Sequence, residues 1–102
     1  MKAIITITAL LVLATPASAE RTSAQKCEEL ATYAASIMNA RQRGMSEYQA
    51  RTPLRDWGIP EGVRLALSQL IDKAYDTPIV SQQEKPAVIA TFRNDMRRLC
   101  LS

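Results

Sequence analysis

The chain has 102 residues, 13 Lys+Arg against 10 Asp+Glu, two Cys, five per cent aromatic residues and no His. That length allows one small domain, and the missing His removes the commonest general base and the commonest metal ligand together. Apolar residues make up 47%, enough for a core and too many for a disordered tail.

The N-terminus carries Met1-Lys2, an apolar run from Ala3 to Ala14, a break at Pro16 and the small-residue end Ala17-Ser18-Ala19. These are the parts of a secretory signal peptide over residues 1–19, with cleavage expected after Ala19. A transmembrane span needs about 20 apolar residues, more than this run offers. The cleavage point lacks the Cys of a lipoprotein. Removing 19 residues leaves 83 of the 102, and Lys2 goes with them, so the charge falls from +3 to +2. Residues 20–102 then form a single helical domain that is weakly basic.

Cys27 and Cys100 lie near the two ends of that domain. In an exported chain they are expected to pair as a structural disulfide. A redox-active pair normally has close spacing such as C-x-x-C, and these two are 73 positions apart. An intermolecular bridge is the remaining alternative.

Thr22-Ser23-Ala24-Gln25 has capping-box spacing and opens a helix. Cys27, Leu30, Ala31, Ala34, Ile37, Met38 and Arg41 recur at helical spacing, and Gly44 supplies a left-handed cap, so this helix runs from about residue 23 to 43. Ser46-Glu47-Tyr48-Gln49 repeats the spacing and starts a short helix that Pro53 limits. The stretch from Thr52 to Ile59 reads as a loop or broken helix. Pro60 fits the first position of a third helix with Val63, Ala66, Leu67, Leu70, Ile71 and Ala74 on its apolar face. Asp76-Thr77-Pro78 turns the chain, and Ser81 to Lys85 makes a further short turn. The last helix spans Pro86 to Cys100, with Ile89, Phe92, Met96, Leu99 and Cys100 as its stripe and Val88 beside it. The fold class is all-α: three main helices plus one short helix, the first and last joined by the disulfide.

Chemistry finds little to work with. No His activates a serine, no Gly-x-Ser-x-Gly turn is present, and no ligand cluster or phosphate-binding glycine loop can be read. Glu28 and Glu29 read as charges that compensate the first helix dipole, and Asp72 and Asp76 as a solvated helix end. No catalytic residue, metal or cofactor is expected.

Arginines are more informative. Arg41 and Arg43 close the first helix, Arg51 and Arg55 flank Pro53, and Arg93 and Arg97 share a face of the last helix beside Arg98. They have two readings: dipole compensation and solubility, which is favoured, or weak contact with an anionic envelope surface. Nucleic acid is not expected as a partner, because no aromatics interleave with the basic residues and the compartment is wrong. Trp57, the only Trp, sits in a Pro-Arg-rich stretch beside Leu54 and Ile59. It plugs a core short of aromatics, the favoured reading, or it serves as a recognition residue with Arg55.

The signal peptide, Cys27 on the first helix, Arg41-Gln42-Arg43-Gly44, Ala74-Tyr75-Asp76-Thr77-Pro78 and a last helix with Phe92 and Cys100 together carry a resemblance. The chain resembles small uncharacterised two-cysteine helical proteins exported by Gram-negative bacteria. That resemblance implies a periplasmic or secreted helical domain and transfers no catalytic residue. The expected function is a non-enzymatic periplasmic interaction module: an adaptor, inhibitor or accessory subunit for an envelope protein. Arg55, Trp57, Arg93 and Arg97 are its candidate partner-binding residues. The alternative is a periplasmic chaperone or envelope-stress protein.

Overall fold

A computed structural model describes residues 22–102, which form helices joined by turns and irregular segments with no strand among them. The signal-peptide reading of residues 1–19 lies outside the described residues. Five helices follow one another: α1 (Ser23–Gln42), α2 (Glu47–Ala50), α3 (Thr52–Asp56), α4 (Glu61–Tyr75) and α5 (Lys85–Leu101). Among the described residues, no helix is long and apolar enough to cross a membrane.

The local signals explain most boundaries. Thr22 Oγ1 accepts from the Gln25 N–H at 3.1 Å, and Gln25 Oε1 accepts from the Thr22 N–H at 2.8 Å, a complete capping box. At the other end Gly44 has φ +93°, with the Met45 N–H on the Ala40 carbonyl and the Gly44 N–H on the Arg41 carbonyl. That is a Schellman stop, which satisfies two carbonyls of the last turn. Ser46 caps α2 by accepting from the Gln49 N–H at 3.1 Å, but the reciprocal arm goes instead to the Ser46 hydroxyl.

The segment from Thr52, expected as a loop or broken helix, is helical as far as Asp56 and irregular from Trp57 to Pro60, so two short helices stand where one was expected. Pro53 does not break structure here. It enters at the first turn of α3, where a missing N–H costs nothing, after the chain has kinked at Arg51. Pro60 and Pro86 act similarly: Pro60 precedes α4 as its N-cap residue, and Pro86 lies in the first turn of α5.

The disulfide joins α1 to α5 with Cys27 and Cys100 Cα atoms 5.5 Å apart, inside the usual range. It makes the two helices antiparallel, and their opposite ends meet where Lys85 Nζ donates to the Gln42 carbonyl at 2.6 Å. α4 runs in the same direction as α1, with Val63 near Leu30 at one end and the Tyr75 ring under Arg41 at the other. Ala34, Ile37 and Met38 of α1, Leu67, Leu70, Ile71 and Ala74 of α4, and Phe92 and Met96 of α5 form the core. Each is buried, as its helical spacing predicts.

Four residues of the expected apolar faces depart from it. Val63, Leu99 and Cys100 are exposed, and Trp57 is 66% exposed. The first three lie at helix ends, where α4 and the pair α1–α5 no longer face one another closely. Trp57 is not the plug of the core. Leu54 and Ile59 fill that place, packed against the core from either side of it.

Candidate functional site

The 43–60 segment returns the chain from the end of α1 to the start of α4, and arginines hold it there. Arg51 pairs with Glu47 at 2.8 Å within its own strand of chain, pairs with Asp72 of α4, and donates to Ser68 Oγ at 3.1 Å. Burial alone would lower its pKa, but hydrogen bonds and charges from Glu47 and Asp72 outweigh that and raise it. Arg64 of α4 reaches back to the Leu54 and Ile59 carbonyls. Tyr75 closes the other end by donating to the Met45 carbonyl at 2.8 Å. Burial pushes its phenol pKa up, Arg41 opposing and Glu47 assisting.

On the outside of this held segment stand two exposed aromatics. Tyr48 is 71% exposed, and the Arg55 guanidinium lies over its ring, 3.9 Å from the centroid. Arg55 also donates to the Tyr48 carbonyl at 2.8 Å and to Thr52 Oγ1 at 3.2 Å, so the stack is fixed from three sides. Trp57 caps the end of α3 just before Gly58, whose φ of +61° turns the chain toward α4. Neither ring contributes to the core.

Arg93 and Arg97 belong elsewhere. Both reach Glu28 of α1, Arg97 at 2.9 Å, on the face that holds the disulfide ends together. The Arg97 hydrogen bond, with the Arg93 charge and bond, holds the Glu28 carboxyl below its ordinary range although partial desolvation opposes this. The structure therefore brings Arg55 and Trp57 onto one short segment, and gives Arg93 and Arg97 to an interhelical ion pair. Arg98 pairs with Asp95 on its own helix. Asp72, expected as a solvated helix end, is the partner of Arg51.

One polar residue was not singled out by its chemistry. Gln42 is 1% exposed. Its Nε2 donates to the Pro78 carbonyl at 3.0 Å and its Oε1 accepts from the Val80 N–H at 2.9 Å. Beside it Arg41 Nε donates to the Thr77 carbonyl at 2.9 Å. The end of α1 thus fastens the turn between α4 and α5 by its backbone. The readable signal was a polar side chain four residues beyond Met38, on the apolar stripe and just before the Gly44 cap.

Among the described residues no group of three His, Cys, Asp or Glu side chains converges as a metal site would require. The chain matches no family model, no curated protein and no solved structure. Its function is therefore argued from its surface.

Proposed function

We propose that this protein is a non-enzymatic interaction module of the periplasm or the secreted fraction, an adaptor, inhibitor or accessory subunit that engages an envelope protein through its α2–α3 face. The observation that carries this reading is Trp57, exposed on a segment that Arg51 and Arg64 hold rigidly against α4. An exposed Trp with no place in the core adds nothing to folding, whereas rigid Trp, Tyr and Arg side chains dominate the binding energy of protein interfaces. Because Arg55 already stacks on Tyr48, these side chains lose little freedom on association. The Cys27–Cys100 disulfide fits an oxidising compartment.

The test is capture of envelope proteins by a photo-crosslinker placed at Asp56, compared between the natural protein and Trp57→Ala. The variant should lose about ten-fold or more of the captured species, while its unfolding free energy moves by less than about 0.5 kcal/mol. Undiminished capture would remove Trp57 from the interface. A fall in stability of several kcal/mol would return it to the core.

A further inference from the structure

Next to the disulfide, α4 leaves an apolar trough open against α1 and α5. Its wider lobe, about 580 Å³, lies between the first halves of α1 and α4 and is lined by Leu30, Tyr33, Val63 and Leu67. A narrower lobe of about 200 Å³ continues past Leu70 toward Leu99 and Cys100. Leu30 and Ala66 border both lobes, so the trough is continuous. Along α4 it extends from Gly62 to Lys73, a rise of about 16 Å or three helical turns. Val63 is 50% and Leu99 59% exposed, so two apolar side chains stand uncovered at its borders.

Gly62 is harder to explain from within the chain. It is helical, without positive φ, and a Cβ built there would meet nothing within 4 Å. Glycine weakens a helix relative to alanine, less in the first turn where Gly62 lies than in the interior, and here neither a turn nor an internal contact requires it. A helix arriving from outside would gain from it, because the α4 backbone can then be approached closely. Ala66, one turn further, keeps the floor low where the two lobes join. The borders are also charged. Lys26 and Lys73 line the wider and narrower lobes respectively, and neither makes an ion pair among the described residues. Glu29, on the same border as Lys26, has an interaction of its own.

We propose that this trough is the docking site for an amphipathic helix of a partner protein, about three turns long, with acidic flanks. Its apolar residues at i, i+3, i+4 and i+7 would pack over Gly62, Val63, Ala66 and Leu99. Its Asp and Glu side chains would meet Lys26 and Lys73, completing a four-helix packing from three helices. The trough does not include Tyr48, Arg55 or Trp57, so it stands or falls independently of the α2–α3 face.

A fluorescein-labelled synthetic 14-residue helical peptide, Leu at those four positions and Glu on the flanks, is titrated into the oxidised protein. Anisotropy gives affinity and backbone amide shifts give location. We expect saturable binding, with shifts concentrated in residues 62–73, and about ten-fold weaker binding when Lys replaces Glu in the peptide. Gly62→Leu should weaken the Glu peptide about ten-fold while raising the melting temperature, since leucine favours helix and a Cβ at that position meets nothing within 4 Å. Lys26→Glu with Lys73→Glu should reverse the preference toward the Lys peptide. The proposal is overturned by absence of saturation up to about 1 mM, by equal affinity for both peptides, or by indifference to Gly62→Leu. A lower melting temperature in Gly62→Leu would show that the fold itself needs the glycine, and removes the argument. A dimer in sedimentation that Gly62→Leu dissociates would assign the trough to a second copy of the chain instead.

Discussion

A glutamine amide carries the same donor and acceptor as a peptide group, and Gln42 uses both on the backbone of the turn between α4 and α5. Its bonds to the Pro78 carbonyl and the Val80 N–H are made in a site where the side chain is shut off from water. Removing it leaves one donor and one acceptor without partners, each costing about 1–3 kcal/mol. Gln42→Ala should therefore lose about 2–4 kcal/mol in urea unfolding, with a melting temperature at least about 10 °C lower. A loss under about 1 kcal/mol would mean that the turn holds without the amide. The sequence showed this residue only within Arg41-Gln42-Arg43-Gly44, because helical spacing ranks apolar positions and says nothing about which distant carbonyl a polar one must meet. Trp57 failed in the opposite direction. Its size and hydrophobicity favoured the core, but Leu54 and Ile59 on either side fill that space first. A small core that is already closed by aliphatic neighbours leaves a bulky ring outside, and no periodicity in so short a segment reveals it.

At the level of helices, the apolar stripes of α1, α4 and α5 were legible because burial follows the 3.6-residue period wherever a helix faces another. They ceased to be legible at Val63 and Leu99, where the period continues but the facing helix does not. Arginine roles were the least legible of all. Arg93 and Arg97 share a face, as their spacing implies, yet the carboxylate they meet lies 65 and 69 positions away in sequence. Glu28 gave no sign beyond its place in the first turns of α1, where helix dipole compensation explains an acidic residue equally well. Its pKa is depressed in the folded protein, first by the Arg97 hydrogen bond. A depressed carboxylate stabilises the fold above its unfolded value of about 4.3, and that contribution is lost as pH falls through the lower, folded value. Stability should thus be level near neutral pH and decline on acidification below about pH 4.3, the α1–α5 ion pair contributing part of the slope. Glu28→Gln should be less stable than the natural protein at neutral pH and approach it in acid. Urea midpoints from pH 2 to 7 check this. Parallel curves for the two proteins would mean that the arginines find equal partners in water.

For the whole molecule, two fastenings oppose each other along the α1–α5 pair. One is covalent, at Cys27 and Cys100; the other is polar, where Gln42 and Arg41 hold the turn before α5. Both cysteines were expected on the apolar stripes of their helices, and that holds for Cys27, which is buried, whereas Cys100 is exposed. The bond therefore gains little from burial at its outer end and acts mainly on the unfolded chain. Closing a loop between positions 73 apart should stabilise by about 4 kcal/mol on the chain-entropy model. That is a large share of what a domain of this size holds. Labelling under denaturing, non-reducing conditions should find no free thiol in oxidised monomer. Reduction should lower stability by about 2–5 kcal/mol. The loss should also be uneven. With the bond cut, α1 and α5 are freer to part at the cysteine end, where the Glu28 ion pairs and the packing of Leu30 against the core near Met96 still link them, while the Gln42 end keeps its backbone bonds. Hydrogen exchange in the reduced protein should therefore rise first in residues 24–30 and 96–101, ahead of residues 38–42 and 85–88. Uniform acceleration along both helices would mean that the domain opens as a single unit, and the two fastenings would not be separable.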